Sequence, residues 1–273
     1  MMNRKTISIL GLGWLGLPLA ELFLYKGFQV KGTVTGHDKA IALETKGIEV
    51  SLLKLHSDKI EISNLEFFKT DVLIVNFPPS RTADIETIYP AQVQQILPYI
   101  YQYKVKKVIF ISSTSVYPEI NRIVSEDEVW SPDKPSGVAC LKAENVLRND
   151  KHFSTTIIRF GGLIGADRNP YRFMKRGVKN GEGNKPVNLI HLDDCIGIID
   201  HVLEQNIWNE VINGCCPVHP TREEFYRKAA IVAGVEPPSF DNSTEFQFKK
   251  VSSDKLTNLL GYAFKYESPV DFF

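Results

Sequence analysis

The chain has 273 residues, enough for one large α/β domain or for a nucleotide-binding core with a small second lobe. Its 43% hydrophobic, 11% aromatic and 23% charged content is that of a folded globular protein. With 32 Lys+Arg against 32 Asp+Glu the formal net charge is zero, which argues against a nucleic-acid or membrane-surface binder, since both carry a basic excess.

Short apolar runs alternate with helical patterns, the signature of a parallel sheet with crossover helices. Thr6–Leu10 reads as the first strand. Leu15–Lys26 reads as a helix whose Leu15, Leu19, Leu22 and Phe23 share a face, with Gly27 as its stop. Arg4 and Lys5 ahead of the apolar stretch Ile7–Leu24 imitate a secretory signal, but Gly11, Gly13, Gly16, Pro18 and Glu21 interrupt it and no small-residue cleavage site follows. Phe28–Thr35 is a second strand. Asp71–Phe77 (DVLIVNF) is nearly continuous in apolar residues, as a sheet covered on both faces requires. Ile85–Tyr103 is mostly helical, with Pro98 as a kink or break, and Lys107–Ser112 is another buried strand. Ser136–Asn149 is a helix with Ser136 as its N-cap, followed by a strand at Thr155–Arg159. Farther on, turn-rich pieces separate helices at Asp193–Glu204 and Arg222–Ala233.

These elements predict an α/β fold, a doubly wound parallel sheet of the Rossmann type with a small C-terminal α/β substrate lobe. The dinucleotide-binding domain is expected over 1–163 and about 186–215, and the substrate-covering lobe over about 164–185 and 216–273. Cys140, Cys195, Cys215 and Cys216 fit no metal-ligand spacing and read as reduced thiols of a cytoplasmic protein. No other stretch approaches the ~20 apolar residues needed to span a bilayer. The expected partner is a small-molecule substrate, with no metal, nucleic acid or membrane.

The turn Gly11-Leu12-Gly13-Trp14-Leu15-Gly16 lies between the first strand and the first helix, where a dinucleotide pyrophosphate binds. Gly11 turns the chain sharply, Gly13 lets backbone approach the phosphates, and Gly16 permits close packing of helix on strand. The helix N-terminus adds free N–H groups and the positive end of its dipole. The choice of cofactor falls at the end of the second strand, in Thr33-Val34-Thr35-Gly36-His37-Asp38-Lys39. That strand end is not acidic, and His37 and Lys39 suit a 2′-phosphate, so NADP is expected ahead of NAD; Asp38 dissents. Asn76-Phe77-Pro78 ends a strand beside the glycine turn and is expected to line the cofactor.

The strand KVIFIS runs into Ser113-Thr114-Ser115-Val116-Tyr117-Pro118, hydroxyls at a carboxyl edge where ligands of open sheets bind. With GLGWLGLPLA, TIIRFGGLIG, IHLDD and KLTNLLGYAFKY, this segment resembles the extended short-chain dehydrogenase/reductases, the NAD-dependent epimerase/dehydratase family acting largely on nucleotide sugars. The resemblance implies a Tyr-x-x-x-Lys pair on one helix face, the tyrosine exchanging a proton while the nicotinamide exchanges hydride. Carried over, Ser113 takes the hydroxyl role and Lys142 the lysine, which also touches the cofactor. The tyrosine position is then Val138, and no tyrosine lies between Trp130 and Asp150. The chain thus resembles the atypical branch that lacks the active-site Tyr, and Tyr117 is the substitute proton donor to consider.

Arg159 at a strand end either reaches substrate or pairs structurally, and Arg168, Arg172, Lys175 and Arg176 form either a diphosphate clamp or a solvated face. Asp193 reads as a helix N-cap after His191. Three functions follow. The first is an NAD(P)-dependent oxidoreductase or epimerase-like enzyme with a non-standard site, and the second a catalytically degenerate NADP-binding sensor or regulatory protein. The third rests on GLGWLGLPLA alone, which also resembles the β-hydroxyacid dehydrogenases and implies an all-helical second domain. A homodimer is expected by analogy.

Overall fold

The computed structural model describes residues 4–128, 131–165, 167–168, 170, 182–240, 242–243 and 245–273. Its centre is an eight-stranded sheet. The strands are β1 (Thr6–Leu10), β2 (Gln29–Val34), β3 (Glu49–Leu55), β4 (Ile60–Ile62), β5 (Val72–Val75), β6 (Lys107–Ser113), β8 (Ser154–Phe160) and β11 (Val211–Gly214), in the order β11-β8-β6-β5-β1-β2-β3-β4. β1 pairs parallel with β2 and β5, β2 with β3, and β5 with β6, while β4 returns antiparallel along β3. β5 is buried at all four positions, as its unbroken VLIV run demands. The doubly wound sheet expected from the sequence is therefore present.

Helix α1 (Gly16–Tyr25) buries Gly16, Leu19, Ala20 and Phe23, and the chain turns at Gly27 with φ +84°. The segment read as one kinked helix is two, α3 (Ile85–Gln94) and α4 (Leu97–Gln102), after the short α2 (His37–Glu44). Pro98 does not break a helix: it sits in the first turn of α4, where its missing N–H costs nothing, and Pro90 lies inside α3. Helix α5 (Pro135–Arg148) starts one residue earlier than expected, with Pro135 in its first turn. Its N-cap is the extended Lys134, without a side-chain bond, rather than Ser136.

The described residues fall into two compact units, Met1–Val116 with Lys134–Ile158 and Ile207–Val211, and Tyr117–Asp133 with Arg159–Asn206 and Ile212–Phe273. The second unit is larger than the lobe expected from the sequence because its short strands pair over long separations. β7 (Arg122–Val124) pairs parallel with β12 (Lys249–Val251), and β9 (Gly162–Ile164) with β10 (Leu189–His191). Helix α6 (Leu192–Glu204) joins this unit through buried Asp194, which accepts from Tyr262 Oη and Lys265 N, both at 2.8 Å. The N-cap of α6 is His191, whose Nδ1 accepts from Asp193 N at 3.2 Å, so Asp193 is a first-turn residue and not the cap. Helix α7 (Arg222–Val232) opens on a Thr221/Glu224 capping box, and α8 (Asp254–Leu260) ends at Gly261 with φ +61°. The strands of this unit exclude the all-helical second domain of the β-hydroxyacid dehydrogenase reading.

Candidate functional site

β1 delivers the chain into a turn that three side chains hold. Gly11 has φ +108°, and a Cβ there would stand 2.6 Å from Asn76 O, so both the conformation and the space require glycine. Gly11 N donates to Thr33 Oγ1 at 2.9 Å, Leu12 N donates to Thr33 O at 2.8 Å, and Asn76 Nδ2 donates to Gly11 O at 3.1 Å. Lys39 Nζ, from the first turns of α2, donates to Leu12 O at 2.7 Å. At Gly16 a Cβ would lie 2.1 Å from Gly11 O, which is how helix and strand come so close. Gly13 differs: it is exposed, and nothing stands within 4 Å of where its Cβ would be. The α1 N-terminus just beyond has no acid in its first turn and no side-chain cap, which leaves its positive dipole end for a ligand.

A cavity of about 280 Å³ opens beside this turn, with Gly11, Gly13, Thr33, Thr35, Lys39 and Phe77 on its wall. The rest of the wall is apolar, from Leu10, Leu12, Val34, Leu53 and Leu55, and among the described residues no acidic side chain lines it. Phe77 is fixed from behind by Tyr89, whose ring packs edge-on at 5.4 Å and whose Oη donates to Phe77 O at 2.9 Å. His37 lines a neighbouring cavity of about 510 Å³ that shares Thr35 and Leu53. Asn76 acts by holding Gly11, while Trp14, Leu15, Gly16, Asp38 and Pro78 lie off the cavity wall. An open glycine at a bare helix end beside an apolar cleft with one cation suits the pyrophosphate and nucleoside of a dinucleotide.

At the end of β6, Ser113 Oγ accepts from Ser115 N at 3.1 Å, and buried Ser112 Oγ donates to buried Glu144 Oε1 at 2.6 Å. Helix α5 buries Gly137, Ala139, Cys140, Ala143, Glu144 and Leu147. Burial, reinforced by the Glu144 charge and opposed by a hydrogen bond with Ser115, pushes the Cys140 thiol up to about 11. Lys142 is exposed instead: its Nζ donates to Glu86 O at 3.3 Å and stands 3.9 Å from Glu86 Oε2. Val138, one turn earlier, is half-buried. The α5 side chains that meet the strand-end hydroxyls are therefore Cys140 and Glu144, which the sequence reading missed. The available signal was the small and apolar stripe Ala139-Cys140-Ala143-Leu147, on which Lys142 does not fall.

In the second unit Tyr117 is locked. Its Oη donates to Asn213 Oδ1 and accepts from Arg159 Nη1, both at 2.8 Å, and the Arg159 guanidinium lies 5.1 Å from the ring centroid. Burial raises the phenol to about 12 although Arg159 opposes it, so Tyr117 keeps its proton within this network. Arg159 is buried in the same network, so pairing is the role its geometry shows. Asn213 N donates to Glu126 Oε1 at 2.6 Å, and burial raises that carboxyl as well. Arg168 is half-buried, its N–H donating to Gly165 O at 2.9 Å, whereas Arg172, Lys175 and Arg176 lie outside the described residues. Among the described residues no His/Cys/Asp/Glu cluster could hold a metal, and no helix is long and apolar enough to cross a membrane.

Residues 78–213 match the model of the NAD dependent epimerase/dehydratase family. Protein YeeZ of Escherichia coli K12 is 34% identical over 269 residues, covering 97% of this chain and 98% of YeeZ. The chain superposes on a UDP-glucuronic acid 4-epimerase from Bacillus cereus in complex with NAD with a TM-score of 0.79, at 23% identity over 98% of this chain and 95% of that one. A UDP-glucose 4-epimerase from Thermotoga maritima with UDP-glucose superposes at 0.78, with 17% identity and 98% of each chain covered. At these identities the two structures establish a shared fold. Fold, glycine turn and sequence relationship together show that the chain belongs to the NAD dependent epimerase/dehydratase family.

Proposed function

We propose that this chain is an NAD(P)-binding enzyme of the nucleotide-sugar epimerase/dehydratase type with a non-standard active site, and that it prefers NADP to NAD. The cofactor reading rests on the exposed Gly13 at the uncapped end of α1, where nothing obstructs a pyrophosphate. Lys39, with no acid on the cavity wall, favours the ligand that carries the extra phosphate. The Bacillus and Thermotoga enzymes act on UDP-linked sugars, which supports a nucleotide sugar as substrate here. A homodimer in the cytoplasm, its four buried cysteines reduced, completes the proposal.

When bound, the nicotinamide supplies hydride chemistry. The chain's own part is to hold a substrate oxygen with the hydroxyls at the end of β6, Ser113 and Ser115. The helix face turned toward them carries Cys140 and Glu144, whereas Lys142, at the position of the family's lysine, is exposed beside Glu86. A thiol held near 11 stays protonated and uncharged at neutral pH, so it cannot lower a neighbour's pKa as an ammonium does. The lack of a cation among the described side chains of that face favours the second reading, a dinucleotide-binding sensor without turnover.

Calorimetric titration separates these readings. NADPH is expected to bind more tightly than NADH, and Lys39→Met to bring the two affinities together; tighter NADH binding to the unmodified chain overturns the NADP preference. A steady change in cofactor absorbance that depends on added UDP-glucose or UDP-glucuronic acid supports the enzyme. Binding of NADPH with no such change for either sugar supports the sensor.

A further inference from the structure

A cavity of about 660 Å³ lies in the first unit at the edge of the sheet opposite the glycine turn. Lys106 and Lys107 at the start of β6, Arg148 at the end of α5, and Asp150, Lys151 and His152 ahead of β8 wall it. β6 rises about 3.3 Å per residue, so roughly 20 Å separates Lys107 from Ser113 at its other end. A ligand here is distinct from one at the turn.

The cavity holds four permanent cations against one acid, in a chain whose total charge is zero. The acid is already engaged: Asp150 Oδ1 accepts from His152 N at 2.8 Å and lies 2.9 Å from His152 Nδ1, and Oδ2 takes the Tyr101 hydroxyl. Lys107 Nζ lies 5.0 Å from the centroid of the Trp208 ring. Lys106, Arg148 and Lys151 are exposed and make no ion pair among the described residues. The carbonyl end of α5 contributes only about half a negative charge, which these cations outweigh. A fork-shaped guanidinium and mobile ammonium groups around one concavity match a ligand with several phosphate groups rather than a single carboxylate.

We propose that this cavity binds a small oligophosphate, either free or as the tail of a nucleotide. Full-length protein titrated calorimetrically at low salt with inorganic tripolyphosphate and with ATP tests it. Both ligands are expected to bind, and R148E/K151E to weaken both by about tenfold or more, through loss of charge-assisted contacts and added repulsion. R148Q/K151Q, with its fold checked by circular dichroism, is expected to weaken them less and carries the test if the charge reversal unfolds the chain. Equal affinities identify the phosphate chain as the recognised group, and tighter ATP binding identifies a nucleotide. Binding that both variants retain at full strength belongs to the glycine turn and overturns the proposal. So does failure of both ligands to bind the unmodified chain, or displacement of tripolyphosphate by a short oligoglutamate peptide at lower concentration, which marks a protein partner instead.

Discussion

Gly13 and Gly16 stand three residues apart and respond oppositely to one added carbon. A Cβ at Gly16 meets the Gly11 carbonyl at 2.1 Å, and both atoms belong to fixed backbone, whereas a Cβ at Gly13 meets nothing. Gly16→Ala is therefore expected to destabilise the fold by about 1–3 kcal/mol, as overpacking does. Gly13→Ala is expected to leave the melting temperature unchanged while weakening dinucleotide binding by about tenfold or more, because it fills the phosphate approach. Thermal unfolding with and without NADPH reads both, and a Gly13→Ala chain that binds normally removes the turn from the cofactor site. The turn was legible in the sequence because each glycine answers a local demand. Tyr117 and Arg159 were less so: nothing in ISSTSVYP or TIIRF reveals that Asn213, about a hundred residues later, accepts a hydrogen bond from the Tyr117 hydroxyl.

At the level of elements, α5 shows what a helix phase decides. The residues that pack, Ala139, Cys140, Ala143 and Leu147, turn Glu144 inward and Lys142 outward. Removing an exposed pair at 3.9 Å costs at most about 1 kcal/mol, so Lys142→Ala is expected to change chemical-denaturation stability little and to leave NADPH affinity intact. Glu144→Ala strips buried Ser112 Oγ of its acceptor and is expected to cost about 1–3 kcal/mol. A Lys142→Ala chain that loses NADPH binding would place that ammonium at the cofactor after all. Strands rich in apolar residues, β1, β5 and β6, and the two-turn stripe of α1 could be read directly. The mixed EVSLLKL of β3 and the polar α2 could not, and the three-residue strands β7, β9, β10 and β12 have too few side chains to show a period.

Across the whole molecule, acid stability depends on histidines that fold in the neutral form. Burial lowers His219, helped by Lys250 and opposed by its contact with Val187 O at 3.1 Å, and burial likewise lowers His191 against the pull of Asp193 and Asp194. Each binds fewer protons folded than unfolded. The stability each contributes is full above the unfolded value of about 6.5 and is lost as pH falls through the lowered folded value. His219→Gln is expected to lose less melting temperature than the unmodified chain between about pH 7.5 and 5.5, where that proton uptake occurs. Equal losses in the two chains would remove His219 from the acid response. The division of the chain at Val116 and Tyr117 belongs to this scale and was not legible. It follows from pairings such as Arg122 with Lys249, which a reading along the chain does not bring together.

The loop after β1 is held by Thr33, Asn76 and Lys39. Such a cradle has little backbone freedom left to lose, so a dinucleotide meets a surface already in its receiving shape and the encounter sets the pace of association. Discrimination between related dinucleotides then falls to how long each stays. In the proposed complex Lys39 divides its ammonium between the Leu12 carbonyl and an arriving phosphate, which makes residence time the quantity that this one side chain governs.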